Sequence, residues 1–138
     1  MKSIVLAILI SILFLFSCSL PTSDSEKYNF NLGDTLSLHY KVAYYNQETE
    51  ITIKFDSLLN DSRCPVDLRC FWEGDAEVKL HFKKGSDRAD FTLHTAAAYF
   101  NSDTLLYGNI IKLIDLQPYP HSEIFYDQRD YIVKLVVE

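Results

Sequence analysis

The chain has 138 residues, 48% of them hydrophobic, with only three cysteines, which is enough for one domain with a single core. Its 19 acidic residues outnumber 13 basic ones, giving a formal charge of −6, and no Lys/Arg cluster works against that balance. A phosphate backbone would be repelled, so nucleic acid is excluded as a partner.

Met1-Lys2-Ser3 supplies a short positive start, and Ile4 to Phe16 is almost wholly apolar. That is the length of a signal peptide's hydrophobic region and too short to span a bilayer comfortably. The run closes on Leu15-Phe16-Ser17-Cys18, which resembles the bacterial lipobox. There, a cysteine after a small residue takes acyl chains, palmitate among them, and becomes the first residue of the mature chain. The resemblance implies a signal peptide at 1–17, acylation of Cys18 and a place in the bacterial cell envelope, at the outer membrane where a cell has two. Several chains at ~0.8 kcal/mol per buried methylene make a durable anchor. Cleavage removes Lys2 and no acid, so the mature charge moves from −6 to −7. Residues 18–27, through "SLPTSDSEK", read as a flexible tether rich in Ser, Pro, Thr and charge. Residues 28–138 are then one domain.

From Tyr28 onward the apolar residues alternate. Leu36, Leu38, Tyr40 and Val42 share a face against Ser37, His39 and Lys41, and Ile51, Ile53 and Phe55 repeat the pattern. Val78, Leu80 and Phe82 follow, then Phe91 and Leu93, then Ile111, Leu113 and, after a break, Leu116, with Ile132 near the end. Period two over short runs predicts half-buried strands, and nine Tyr with nine Phe suit a pleated surface. Lys84-Gly85-Ser86-Asp87 marks a turn, and the prolines of Gln117-Pro118-Tyr119-Pro120 end a strand. About seven strands predict an all-β, antiparallel sandwich, with a partly open barrel as the alternative.

The stretch "DSRCPVDLRCFWEGDAEVKLHF" holds two cysteines and the only tryptophan. In an oxidising compartment, with Cys18 acylated, Cys64 and Cys70 are the two remaining thiols, and a disulfide is the economical pairing. Zinc would want more soft ligands than two. Trp72 is expected to alternate into the strand that continues through Val78, with a bulge at Gly74, and to plug the core against the disulfide. On Asp61, Ser62, Arg63, Cys64, Pro65, Cys70, Trp72, Gly74, Ala76 and Val78 the chain is similar to a group of bacterial secreted proteins and lipoproteins. Its close, "IIKLIDLQPYP" then "YIVKLVVE", resembles theirs too. The resemblance implies a β-rich secreted domain and brings no activity with it.

Candidate sites are few. Asp61, Arg63, Asp67, Arg69, Glu73 and Asp75 gather around the staple as a candidate binding loop. Calcium takes six to eight oxygens, but no known loop spacing is present, and a solvated loop with local ion pairs is the plainer reading. If Phe82 pairs with Phe91, His81 and His94 share the solvent face within reach of one ion; two histidines alone make a thin site, and no metal or cofactor is assigned. No nucleophile, base or carboxylate pair sits in a catalytic motif. The expected function is a non-enzymatic envelope lipoprotein, a binding or structural module contacting an envelope protein, a glycan or a small ligand. A metal-dependent or hydrolytic accessory enzyme is the alternative. A protease-inhibitor-like loop, presenting Pro65 to Leu68 with Arg69 as specificity residue, is a further one.

Overall fold

A computed structural model describes residues 28–138; the expected signal peptide at 1–17, Cys18 and the expected tether at 18–27 lie outside the described residues. The strands are β1 (Tyr28–Asn29), β2 (Thr35–His39), β3 (Ala43–Asn46), β4 (Ile51–Asp61), β5 (Ala76–Lys84), β6 (Asp87–His94), β7 (Asp103–Leu106), β8 (Asn109–Gln117) and β9 (Ile132–Val137). They form a five-stranded sheet in the order β1-β3-β4-β5-β6 and a four-stranded sheet in the order β2-β9-β8-β7. Neither closes on itself, so the fold is the expected sandwich and not a barrel. Among the described residues, every pairing between these strands is antiparallel except that of β1 with β3.

The alternation explains which face each strand buries. From the first sheet, Ile51, Ile53, Phe55, Val78, Leu80, Phe82 and Leu93 point inward and are fully buried. Leu38, Ile111, Leu116, Val133 and Leu135 meet them from the second sheet. At roughly 25 cal/mol per Å² of apolar surface, this shared layer is the main source of stability. The break before Leu116 is a register shift between Leu113 and Asp115, which returns Leu116 to the core.

The structure revises four expectations. The stripe from Leu36 to Val42 is not one strand: Lys41 adopts φ 62°, and the chain crosses there from the second sheet into the first. At the end of the chain, Val133, Leu135 and Val137 face the core, and Ile132 lies on the other side, half-buried. The β5–β6 hairpin closes on a two-residue loop, Gly85-Ser86, so Phe82 pairs with Ala89 and Leu80 with Phe91. That is a slip of two from the expected register, and it leaves every side chain on its expected face. Finally, β4 runs to Asp61 and β5 starts at Ala76, so Trp72 and Gly74 lie in the loop between them and not on a strand.

Candidate functional site: the stapled-loop end

β4, β6 and β8 run toward one end of the sandwich, and β5, β7 and β9 run away from it. The three long loops, 62–75, 95–102 and 118–131, therefore emerge together at that end. Cys64 and Cys70 are bonded, with Cα atoms 5.9 Å apart. Closing so short a loop stabilises by about 2 kcal/mol in the chain-entropy model. Between the cysteines the backbone turns, with Leu68 N–H donating to Pro65 C=O at 3.0 Å, so the loop is not the extended strand a protease would read.

Below the staple, the β4–β5 pairing carries on into the loop. Ser62 N–H donates to Asp75 C=O at 2.7 Å and Cys64 N–H to Glu73 C=O at 2.8 Å. Gly74 sits in this close approach with φ 75°, and a Cβ placed on it would lie 2.0 Å from the Ser62 carbonyl oxygen. Only glycine fits there, so Gly74 is an architectural residue.

Trp72 is a correction. It is 50% exposed and does not plug the core; its ring meets Tyr99 edge-on, centroids 6.3 Å apart. The ladder bonds pin residues 62–64 against 73–75 and push the intervening chain outward, carrying Phe71 and Trp72 into solvent. Phe71 and Phe125 are almost completely exposed, and Val66, Leu68, Tyr99 and Phe100 are exposed alongside.

The six candidates of the loop divide. Arg63 is 4% exposed and is engaged inside the fold: its guanidinium grips both Asp61 carboxylate oxygens at 2.8 Å. It also donates to the carbonyls of Leu116 and Pro118 and lies 4.5 Å from the centre of the Tyr119 ring. Asp61 further accepts from Tyr131 Oη at 3.2 Å. Burial, reinforced by the Asp61 charge and hydrogen bond, pushes the Tyr131 hydroxyl up to about 12. This clamp ties the end of β4 in one sheet to the end of β8 in the other. Asp67 accepts from the backbone N–H of Ser122 at 3.0 Å and from its hydroxyl, and Val66 N–H donates to Pro120 C=O at 2.9 Å, which locks the stapled loop to the 118–131 loop. The Ser122 bonds hold the Asp67 carboxyl below the usual range. Arg69 and Glu73 are exposed.

Asp75, 5% exposed, accepts from His94 Nδ1 at 2.6 Å, Ala96 N–H at 2.9 Å and Thr95 Oγ1 at 3.3 Å. Burial alone would raise its carboxyl, but those hydrogen bonds and the His94 charge outweigh it and leave the group below its ordinary value. His94 also stacks on Phe100, centroids 4.9 Å apart. Asp75, Glu77 and His94 each bring one ligand atom within 4.8 Å of the others. His81 is not among them: it pairs with Asp90, Nδ1 to Oδ1 2.6 Å, while His94 lies opposite Glu77. Four strand positions, roughly 13 Å, separate the two histidines, so the weak candidate pair of the sequence is not brought within reach of one ion. The slip of two is the cause. The hollow between Arg63, Glu73, Gly74, Thr95 and Tyr119 holds about 70 Å³, well short of the ~300 Å³ at which small-molecule sites begin.

No family model, curated protein or solved structure matches this chain. The residues that stand out at this end, Phe71, Tyr99, Phe100 and Phe125, were absent from the sequence-derived candidates. The available signal was aromatic residues clustered between strands, in Cys70-Phe71-Trp72, Ala98-Tyr99-Phe100 and Ile124-Phe125-Tyr126.

Proposed function

We propose that this protein is a non-enzymatic lipoprotein of a bacterial cell envelope, acylated at Cys18, whose stapled-loop end is a contact surface. One observation carries the reading: exposed apolar and aromatic side chains are gathered on an end braced by a disulfide and by hydrogen bonds between loops. A soluble domain gains nothing from exposing Phe71 and Phe125 together, and such patches mark interaction sites. Bracing lowers the entropy lost on contact. The signal-peptide-like start, the lipobox resemblance and the likeness to secreted proteins support the envelope placement.

The Asp75, Glu77 and His94 cluster is what favours the alternative of a metal-dependent accessory enzyme. It is the poorer reading, because both Asp75 oxygens already serve three protein donors that anchor the 95–96 turn.

The test replaces Val66, Leu68 and Arg69 together by Gly and Ser, keeping both cysteines and Asp67, whose bonds to Ser122 brace the loop. Association of the acylated full chain with the envelope component it contacts, followed by crosslinking from that end, should fall several-fold while the melting temperature drops only slightly. A collapse in stability with contact retained by the folded fraction would make the loop purely architectural and move the functional surface elsewhere.

A further inference from the structure

We propose that the surface met by the stapled-loop end is the lipid bilayer to which the protein is anchored, with Leu68, Phe71, Trp72, Tyr99 and Phe125 entering the headgroup region. The inference rests on acylation at Cys18 and names the partner left open above.

Two observations carry it. The first is where the chain enters the fold. β1 runs parallel to β3, with Tyr28 beside Tyr44 and Tyr44 beside Ile53 of β4. β3 runs away from the stapled-loop end, so β1 does too, and the chain before Tyr28 approaches from the side of that end. The register shifts of β4 add residues without adding height, so the level of Ile53 (opposite Phe82) lies six positions of β5 from that of Asp61 (opposite Ala76), roughly 20 Å at ~3.3 Å per residue, and the loops reach further. Residues 18 to 28, fully extended, span at most ~34 Å. Even fully stretched, that length carries a lipid on Cys18 only ~14 Å past the level of Asp61, the zone that the loops 62–75, 95–102 and 118–131 occupy. A tether of that length holds this end against the bilayer surface and cannot lift it clear.

The second is the chemistry of the tips. Trp and Tyr, each apolar in body with one polar atom, are the residues enriched where a membrane meets water. Here Trp72 and Tyr99 meet edge-on next to the exposed Phe71, Val66 and Leu68 are exposed on the stapled turn, and Phe125 is exposed on the 118–131 loop of the same end. Of the charged groups near them, Asp61 is paired with Arg63, Asp75 with His94, and Asp67 is held by Ser122, while Arg69, Glu73 and Glu123 are exposed and would stay among the headgroups at the water side. The mature charge of −7 gives no attraction to anionic lipid, so docking is apolar insertion. Contact should therefore be no stronger in vesicles containing phosphatidylglycerol than in phosphatidylcholine alone. The opposite end differs. Its tight turns carry Glu50, Lys84, Asp87 and Arg88, and Leu105 is its most exposed apolar side chain.

Trp72 is the only tryptophan, which makes it the probe. The acylated full chain is reconstituted into phosphatidylcholine vesicles with brominated acyl chains. Flotation reports the anchor, and quenching of Trp72 reports docking. A Trp72→Phe, Leu105→Trp double variant moves the fluorophore to the tight-turn end. We expect flotation, Trp72 emission reduced about twofold relative to unbrominated vesicles, and the Leu105→Trp reporter unchanged. Adding Phe71→Ser and Leu68→Ser should restore most of the Trp72 emission without loss of flotation. Flotation without Trp72 quenching overturns the docking and leaves the anchor standing, with the end free for a protein partner. Equal quenching of both reporters overturns it as well, because neither end is preferred. Without flotation the anchor fails. Trp72 quenching would then uphold contact with the bilayer independently of the lipid, and its absence would overturn both.

Discussion

The two ends of the sandwich are built on different principles. At one, the strands reverse through tight turns whose backbone is set locally: Glu50 at φ 55°, Gly85 at 58°, and Tyr107 and Gly108 at 48° and 79°. Left-handed residues match a short turn to the twist of the strands beside it. At the other, the loops are long and are held by bonds that bridge distant parts of the chain. Arg63 reaches Leu116, Asp67 reaches Ser122, Gln128 reaches the backbone of Leu58 and Tyr131 reaches Asp61. Those bonds leave the polar groups satisfied inside and the aromatic groups outside. The first end costs little to form and offers little to a partner, whereas the second is a scaffold for display.

Removing the clamp should break this difference most sharply. Arg63→Ala strips a buried ion pair of one member and leaves Asp61 and two carbonyls without their donor, so it should cost about 3–5 kcal/mol. Lys84→Ala, which loses bonds to Tyr107 C=O and Asn109 Oδ1 at the other end, should cost about 1 kcal/mol or less. Urea denaturation of both variants measures the contrast. Arg63→Lys should recover only part of the loss, since an ammonium cannot make the two-pronged contact with Asp61.

The glycines give a second, smaller contrast. Gly74→Ala drives a methyl into the Ser62 carbonyl as well as straining a left-handed backbone, and should destabilise by roughly 3 kcal/mol. Gly108→Ala faces open space and should cost only the backbone term, about 1 kcal/mol. Equal melting temperatures for the two variants would show that the loop gives way at Ser62, and that this end is softer than its bonding suggests.

The smallest effect is read in acid. Asp75 titrates below its ordinary value in the folded chain, so its contribution is present above the unfolded value of about 3.9 and is lost as pH falls through the lower folded value. Asp75→Asn should be less stable than the native chain at pH 7, and the gap between them should narrow as pH falls below about 4. A gap independent of pH would mean that the Asp75 carboxylate gains nothing from His94 beyond a neutral hydrogen bond.

Particular residues show how far the sequence reached. The inward faces of β4, β5, β6 and β8 were legible, because a strand with one buried side must alternate, and each of those runs alternates long enough to be seen. β3 was hidden: its inward residues are Tyr44 and Asn46, and Asn46 is buried by bonding to Phe30 and Thr49, with no apolar character to announce it. The register of β5 against β6 was misplaced by two because a slip of two preserves every inside and outside assignment. That slip alone brought His81 and His94 together on paper and separates them in the fold. Trp72 was placed inside on hydrophobicity, which does not distinguish a core residue from a displayed one.

The sequence by itself determined the all-β class and the alternating faces, since both depend on local periodicity, and it pointed to the Cys64–Cys70 bond through the nearness of two cysteines and the expected acylation of the third. Only the tertiary structure decided that Arg63 is a buried clamp, that Gly74 lies against Ser62, and that the aromatic residues of three loops share one end. Those facts depend on which distant segments the sheets bring together, and a charge or an aromatic ring reads the same in the chain whether folding buries it or displays it.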